Sequence, residues 1–158
     1  MDFNGGWPAE LELLKTVGIA GGLGALIGLE REFWDKPAGL RTHIMVCAGA
    51  ALFVLLGKGV MDSFEEGGAA LIQADPLRVI QAVIIGISFL GTGTILHRDD
   101  RVEGLTTAAT IFLTAGIGIA VAVDRLVLAT GTALLAVTVL VGIGWLERIV
   151  QRGRKDEG

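Results

Sequence analysis

The stretch from Gly21 to Leu56 reads GGLGALIGLEREFWDKPAGLRTHIMVCAGAALFVLL. It contains a glycine-rich apolar run, then a dense group of ionisable residues, then a second apolar run. Apolar runs of this kind suit the hydrocarbon core of a bilayer, and ionisable groups are expensive there unless they face protein or water. The stretch therefore predicts two membrane helices joined by a short charged loop, and we expect this hairpin to carry the function.

The composition of the whole chain supports a membrane protein. Of its 158 residues 52% are hydrophobic, and the mean hydropathy is +0.65, which is too apolar for an ordinary soluble domain. The net charge of −4 gives no indication of nucleic-acid binding. Because Cys47 is the only cysteine, an intrachain disulfide and a multi-thiolate zinc site are excluded. The acidic start of the chain, with Asp2 and Glu10, does not resemble a signal peptide, so we expect no cleavage.

Five apolar segments predict the fold class, an all-α integral membrane protein with a bundle of about five transmembrane helices. The charged loop is expected to run from Glu30 to His43. Asp75 and Pro76 are a helix start signal, because Asp caps free N–H groups and Pro suits the first helical position. We expect one membrane domain over residues 1–158, with spans at about 11–29, 44–61, 76–96, 105–123 and 126–146.

The basic residues predict how the chain is oriented. Five spans place the two termini on opposite sides, and cytoplasmic loops carry an excess of Lys and Arg. With the N-terminus outside and the C-terminus cytoplasmic, nine of the 13 basic residues are cytoplasmic. These nine are Arg31, Lys36, Arg41, Arg98, Arg101, Arg148, Arg152, Arg154 and Lys155.

A weak internal repeat occurs at an offset of 65 residues. It would make helices 1 and 2 with their loop a duplicate of helices 3 and 4, as in transporters built from parallel repeats. Chance matching of glycine-rich apolar segments is the alternative. The matching positions are Gly21, Gly28, Asp35, Gly39, Leu40 and Thr42, which fall on Gly86, Gly93, Asp100, Gly104, Leu105 and Thr107.

Four motifs resemble those of one family of bacterial membrane proteins: GLERE, KPAGLRTH, DPLRVIQAVIIGISFLGTGTIL and VEGLTTAATIFLTAGIGIAVA. The chain resembles the MgtC/SapB family from about Gly18 to Arg148, in its short form without a soluble C-terminal domain. Thr92 and Thr94 depart from the small residues that are usual there. The resemblance implies a multi-pass inner-membrane protein that is linked to adaptation to low magnesium and, in some pathogens, to virulence.

Two functions are compatible with the resemblance. The first is a regulator that binds other membrane proteins, and the alternative is a transporter of magnesium or another small ion. A transporter needs polar groups at membrane depth, and the candidates are Gln81, Ser88, Thr92, Thr106, Thr110 and Thr114. Such hydroxyls also bond to their own helix backbone.

No carboxylate lies deep in a span, since Glu30 and Asp75 are at helix ends, so we expect neither a metal site nor a cofactor.

The glycines of helix 1 predict a close helix contact. Gly18, Gly22, Gly24 and Gly28 form two small-xxx-small spacings, which let a second backbone approach closely. The contact could be a homodimer, a complex with another membrane protein, or packing inside the bundle. Apart from protein, the lipid bilayer is the expected partner.

The central charged loop predicts an ion pair. Glu30 ends helix 1 and Arg41 begins helix 2, and both have the wrong sign for the dipole of their helix. We therefore expect Glu30 to point inward and pair with Arg41, with Thr42 and Thr107 close by.

His43 and His97 have no nucleophile beside them, so we expect no enzyme. The candidate functional polar cluster is Glu30, Arg31, Arg41, Thr42, His43, Asp75, Arg78, Gln81, Thr106 and Thr107.

Overall fold

The computed structural model of the protein describes residues 6–66, 75–98 and 101–155. Within them the chain forms five helices and one short antiparallel β-hairpin, and four of the helices are long and apolar enough to cross a membrane. The predicted all-α membrane bundle is confirmed. The elements are α1 Trp7–Phe33, α2 Leu40–Glu66, α3 Pro76–Thr92, β1 Leu96–Arg98, β2 Arg101–Glu103, α4 Leu105–Ala122 and α5 Leu126–Lys155.

The centre of the bundle is formed by α1, α2 and α4. Ile27, Leu55 and Ile117 are almost fully buried where these helices meet. A Cβ added to Gly24 would lie 2.5 Å from the carbonyl oxygen of His43, so the backbones of α1 and α2 approach each other very closely there. Small residues at such crossings let helices gain van der Waals contact, which drives helix association in lipid.

The predicted loop between the first two helices is shorter than expected. We expected Glu30 to His43 to be loop, whereas α1 continues to Phe33 and α2 already begins at Leu40. Glu and Arg are good helix formers, so the end of an apolar run marks the boundary of the membrane rather than the end of the helix. The Glu32 carboxylate accepts a hydrogen bond from the backbone N–H of Leu40 at 2.9 Å, which satisfies a free donor at the start of α2.

The third helix is also shorter than predicted. We expected it to reach residue 96, but it ends at Thr92, and Leu96–Arg98 and Arg101–Glu103 form paired strands that the sequence did not indicate. Glycine and threonine are poor helix formers, and they alternate from Gly91 to Thr94. The hairpin pairs Leu96 with Glu103. Gly104 then has a φ of 88°, in the left-handed region that favours glycine.

The helix α3 nevertheless runs between the two ends of the bundle. As predicted, Asp75 caps its start, since Oδ1 accepts from the N–H of Leu77 at 2.9 Å. Near this start the side chain of Val79 packs at Gly57 of α2, and near its end Gly91 faces Ala108 of α4. The apolar part, Leu77–Thr92, is nonetheless shorter than in the other four helices. It is slightly shorter than the usual minimum of about 17 residues for a membrane span.

Two further helix ends differ from the predictions. Helix α2 extends beyond residue 61 to Glu66, and α5 extends beyond residue 146 to Lys155. Residues 67–74 of the predicted exposed connection lie outside the described residues. The tight break before α5 is present, and Asp124 adopts a φ of 59° there. The two connections that the proposed repeat would make equivalent differ, because residues 34–39 form a short loop, whereas the later connection contains the paired strands Leu96–Arg98 and Arg101–Glu103. The duplication stays a prediction.

Candidate functional site

A buried group of polar residues lies where α1 ends and α2 and α4 begin. It consists of Glu30 and Arg31 on α1, His43 on α2 and Thr107 on α4, and we call it the polar junction. Each of these residues is at most 8% exposed. The close approach of α1 to α2 creates this burial, because a Cβ on Gly28 would lie 2.7 Å from the Cα of Leu40.

The Arg31 guanidinium is the centre of the polar junction. Its Nη1 lies 3.8 Å from Oε2 of Glu30, and its Nη2 donates a long hydrogen bond of 3.5 Å to the hydroxyl of Thr107. Its Nε and the Glu30 Oε2 are buried with no hydrogen-bond partner among the described residues. Normal hydrogen bonds between such groups are 2.7 to 3.2 Å long. The two charges therefore neutralise each other, but the Arg31 Nε and the Glu30 Oε2 keep unused hydrogen-bonding capacity.

His43 connects the polar junction to the start of α2. Its Nδ1 lies 2.9 Å from the carbonyl oxygen of Gly39, and its Nε2 is buried without a hydrogen-bond partner in the described part of the chain. The ring is 0% exposed. A histidine held in this way fixes the first turn of α2 against α1.

The predicted pair between Glu30 and Arg41 is wrong. Glu30 does point inward, but its ionic partner is Arg31, the next residue in the chain. Arg41 is exposed, as is Thr42, and no ion pair to Arg41 occurs among the residues that the structure describes. The reason is that α2 starts four residues earlier than expected. Residues 41 and 42 then lie on the outer face of its first turn, while His43 faces α1.

A cavity of about 900 Å³ lies beside the polar junction, between the end of α1, the start of α4 and the middle of α5. We call it the junction cavity. Its polar lining is formed by Glu30, Arg31, Lys36 and Thr106, with Trp34 beside them. Its apolar lining is formed by Leu105, Ala109, Val139, Leu140, Ile143 and Gly144. The cavity is thus polar on one side and apolar on the other.

The remaining predicted polar residues do not join this cluster. Asp75, Arg78 and Gln81 are exposed in the first turns of α3. This end of α3 lies beside Gly57, which is seventeen residues after Leu40 on α2, and that separation is about 25 Å along a helix. The ten candidate residues therefore divide between two ends of the bundle rather than forming one site.

Most of the candidate hydroxyls at membrane depth donate to carbonyls of their own helices. Ser88 donates to the carbonyl of Ile84, and Thr92 donates to the carbonyl of Ser88. On α4, Thr114 donates to the carbonyl of Thr110 at 2.7 Å. Within the described residues there is no group of three or more His, Cys, Asp or Glu side chains placed to hold a metal ion.

The four glycines of α1 divide into two pairs. Gly24 and Gly28 meet the backbone of α2, as described above. Gly18 and Gly22 are exposed, and a Cβ added at either would meet nothing within 4 Å. Gly24 and Gly28 therefore pack inside the bundle, whereas Gly18 and Gly22 lie on the outer face of α1.

An apolar groove of about 740 Å³ separates α2 from α3, and we call it the α2–α3 groove. Two rows of residues spaced by four line it, and each row has a glycine near its middle. A Cβ on either Gly49 or Gly86 would meet nothing within 4 Å, so the groove is open at both positions. The rows are Met45, Gly49 and Phe53 on α2, and Arg78, Ala82, Gly86 and Leu90 on α3.

Several residues at these sites were not predicted from the sequence. Trp34 and Lys36 lie in the charged loop, and the wealth of ionisable residues there could have indicated them. Nothing in the apolar sequence of α5 distinguishes Val139 or Ile143 as lining residues. Gly49 on α2 carries a small-residue signal that could have indicated it.

The apolar helices, their glycine contacts and the buried charges at one bundle end define a multi-pass α-helical membrane protein. The chain belongs to the MgtC family, which it matches over residues 17–149. This confirms the family resemblance. No solved structure matches the chain.

Three curated relatives illustrate the similarity. The chain is 43% identical over 96 residues to "Putative magnesium transporter YhiD" of Escherichia coli (strain K12), covering 60% of this chain and 43% of that protein. It is 36% identical over 115 residues to "Protein SapB" of Bacillus subtilis (strain 168), covering 72% and 49%. It is 42% identical over 97 residues to "Protein MgtC" of Brucella abortus (strain 2308), covering 61% and 37%. The aligned part is thus about half or less of each relative.

Proposed function

We propose that this protein is a non-catalytic regulator in the bacterial cytoplasmic membrane, linked to adaptation to low magnesium, which acts by binding a transmembrane helix of another membrane protein. The observation that carries the proposal is the α2–α3 groove. It offers a helix-sized apolar surface with a small residue near the middle of each wall. Helix association in lipid depends on such close-approach surfaces.

The lining of the groove indicates which helix would fit. Gly49 and Gly86 leave room for a backbone, while the largely exposed side chains of Met45 and Phe53 stand at its edges. Arg78 lies two helical turns before Gly86 in the same row. A partner helix would therefore carry small residues opposite Gly86 and an acidic residue near Arg78, because opposite charges at the membrane boundary attract.

The alternative function is transport of magnesium or another small ion, as the name of the Escherichia coli relative suggests for that protein. The contacts of the membrane hydroxyls favour the regulator. Ser88, Thr92 and Thr114 donate to carbonyls of their own helices. A hydroxyl in this arrangement stabilises the helix and does not require an ion.

Ion flux separates the two functions. The purified protein would be placed in liposomes that contain a fluorescent magnesium indicator, with empty liposomes as the control. We expect the rate of magnesium entry to equal that of the control. Saturable magnesium uptake by the protein alone would contradict a purely regulatory function.

Substitution in the groove tests the binding surface. Gly86→Leu fills the groove, and the open space around Gly86 means that the protein should still fold. The matched control is Gly131→Leu on α5, since Gly131 also meets nothing within 4 Å. We expect the Gly86→Leu variant to lose the ability to support growth of its host cells at low magnesium, and the Gly131→Leu control to retain that ability. Equal growth of the two variants would contradict docking in this groove.

A second copy of this chain is the competing occupant of the groove. On α1 the row Glu10, Leu14, Gly18 and Gly22 is spaced by four and exposed. Its acidic residue lies eight positions before Gly18, just as Arg78 lies eight positions before Gly86. The starts of α1 and α3 also lie at the same end of the bundle, because α2 runs antiparallel to both.

Charge reversal distinguishes the two occupants. If the protein is a homodimer through this groove, Arg78→Glu should weaken self-association, and adding Glu10→Arg should restore it. If the partner is another protein, as we propose, the double variant should not recover growth. Analytical ultracentrifugation in detergent measures the first property, and the low-magnesium growth assay measures the second.

The proposed orientation places the start of α1 outside and the polar junction at the cytoplasmic boundary. Nine of the 13 basic residues are cytoplasmic in this arrangement, which follows the positive-inside rule. A cysteine replacing Arg154 should resist an impermeant maleimide in intact cells and react after permeabilisation. Labelling in intact cells would overturn the orientation.

A further inference from the structure

The junction cavity has the features of a lipid site rather than of a packing defect. Arg31 is 5% exposed, it lines the cavity, and its Nε has no hydrogen-bond partner among the described residues. Unsatisfied donors of a buried charge are costly in a low-dielectric environment, so native proteins rarely retain them without a partner. Arg31 thus combines a position in the cavity wall with a donor that no described residue satisfies.

The charges around the cavity favour a ligand with one negative charge. Arg31 and Lys36 contribute two positive charges and Glu30 contributes one negative charge, so the lining carries a net charge of about +1 at neutral pH. Thr106 is the second residue of α4, whose free N–H groups and positive dipole end also favour an anion. The unpartnered Oε2 of Glu30 can accept a hydrogen bond from a hydroxyl.

The position of the cavity agrees with the depth of lipid headgroups. Trp34 lines it, and Trp145 follows directly after Gly144 on α5, and both indoles are partly exposed. Tryptophans of membrane proteins are enriched at the boundary between headgroups and hydrocarbon. From this boundary the apolar wall of Val139, Leu140 and Ile143 follows α5 towards the interior of the membrane.

From these observations we infer that the junction cavity binds an anionic phospholipid of the phosphatidylglycerol type. Its phosphate contacts Arg31, Lys36 and the start of α4, and a headgroup hydroxyl donates to Glu30. One acyl chain lies along the apolar wall of α5. Phosphatidylcholine lacks the net charge and the headgroup hydroxyl, and phosphatidylethanolamine lacks the net charge.

The inference is tested by native mass spectrometry of the purified protein with phosphatidylglycerol, phosphatidylethanolamine and phosphatidylcholine of identical acyl chains. Soluble glycerol phosphate and inorganic phosphate are added in parallel arms. We expect phosphatidylglycerol to bind about tenfold more tightly than either zwitterionic lipid, since the charge-assisted contacts distinguish them. Equal affinities for the three lipids would overturn the inference. Equally tight binding of glycerol phosphate or inorganic phosphate would overturn the role of the acyl chain.

Three variants localise the binding. Lys36→Ala removes an exposed charge at the rim and should weaken phosphatidylglycerol binding about tenfold. Arg125→Ala, which removes an exposed cation at the opposite end of α4, should leave it unchanged. Ala109→Leu narrows the apolar side and should weaken the lipid but not any residual glycerol phosphate binding. Equal effects of Lys36→Ala and Arg125→Ala would contradict a site in the junction cavity.

Discussion

The contact between α1 and α2 and the groove between α2 and α3 are both lined by glycines, yet their geometry is opposite. At Gly24 and Gly28 an added Cβ would meet backbone atoms of α2 at 2.5 and 2.7 Å. At Gly49 and Gly86 it would meet nothing within 4 Å. The same residue type thus closes one helix contact and leaves another surface open. We associate the first region with stability and the second with binding, and variants can test this division.

The largest effect on stability is expected at the polar junction. Glu30→Ala would leave the buried Arg31 without its counter-ion, which should cost about 3 to 5 kcal/mol. Arg41→Ala is the matched control, because Arg41 is exposed on the first turn of α2 and should contribute little. Reversible unfolding in mixed detergent micelles measures both. Equal stability losses in the two variants would contradict a stabilising role of the buried Glu30–Arg31 pair.

The second prediction concerns stability, and the change in the free energy of unfolding should have opposite signs in the α1–α2 contact and in the α2–α3 groove. Gly24→Ala forces apart the backbones of α1 and α2 and should cost about 1 to 3 kcal/mol. Gly86→Ala has open space around its new methyl group and gains helix propensity, so stability should stay the same or rise by up to about 1 kcal/mol. Thermal unfolding in one detergent compares the two variants. A loss of similar size at Gly86 would mean that the groove is closed by contacts within the bundle.

A smaller loss of stability is expected when the cap at the start of α2 is removed. Glu32 is exposed, but its carboxylate accepts from the N–H of Leu40, and removal of a helix cap costs about 1 kcal/mol. Glu32→Gln retains an acceptor oxygen and should recover part of the loss that Glu32→Ala causes. Unfolding midpoints of the two variants provide the measurement. Identical midpoints for the wild type and Glu32→Ala would exclude a capping role.

The sequence predicted the fold well but predicted only part of the candidate site. Long apolar runs determine helices in a membrane protein almost by themselves, so the existence of five helices was evident, although α3 is shorter than the four candidate spans. Helix ends were less evident, because Glu30 to Phe33 and Leu40 to His43 continue their helices beyond the apolar runs. That difference turns Arg41 outward and replaces the predicted pair with one between Glu30 and Arg31.

The roles of individual glycines could not be predicted from spacing. Gly18 and Gly22 have the same four-residue spacing as Gly24 and Gly28, but the α1 face that meets α2 includes only the second pair. Which face is buried depends on how neighbouring helices rotate, and this is set by the packing of the whole bundle. The α2–α3 groove likewise arises from two helices whose sequences separately show only small residues and apolar ones.

The central claim is that the α2–α3 groove binds a transmembrane helix of another protein. Its most direct test is photo-crosslinking in living cells from a photoreactive residue at Gly86, with Gly131 as the control position and sequencing of the linked peptide. We predict a product specific to position 86 in which the linked peptide is a transmembrane helix of another membrane protein, with small residues and an acidic end. Products that contain only lipid or only a second copy of this chain, or identical products from both positions, would contradict the claim.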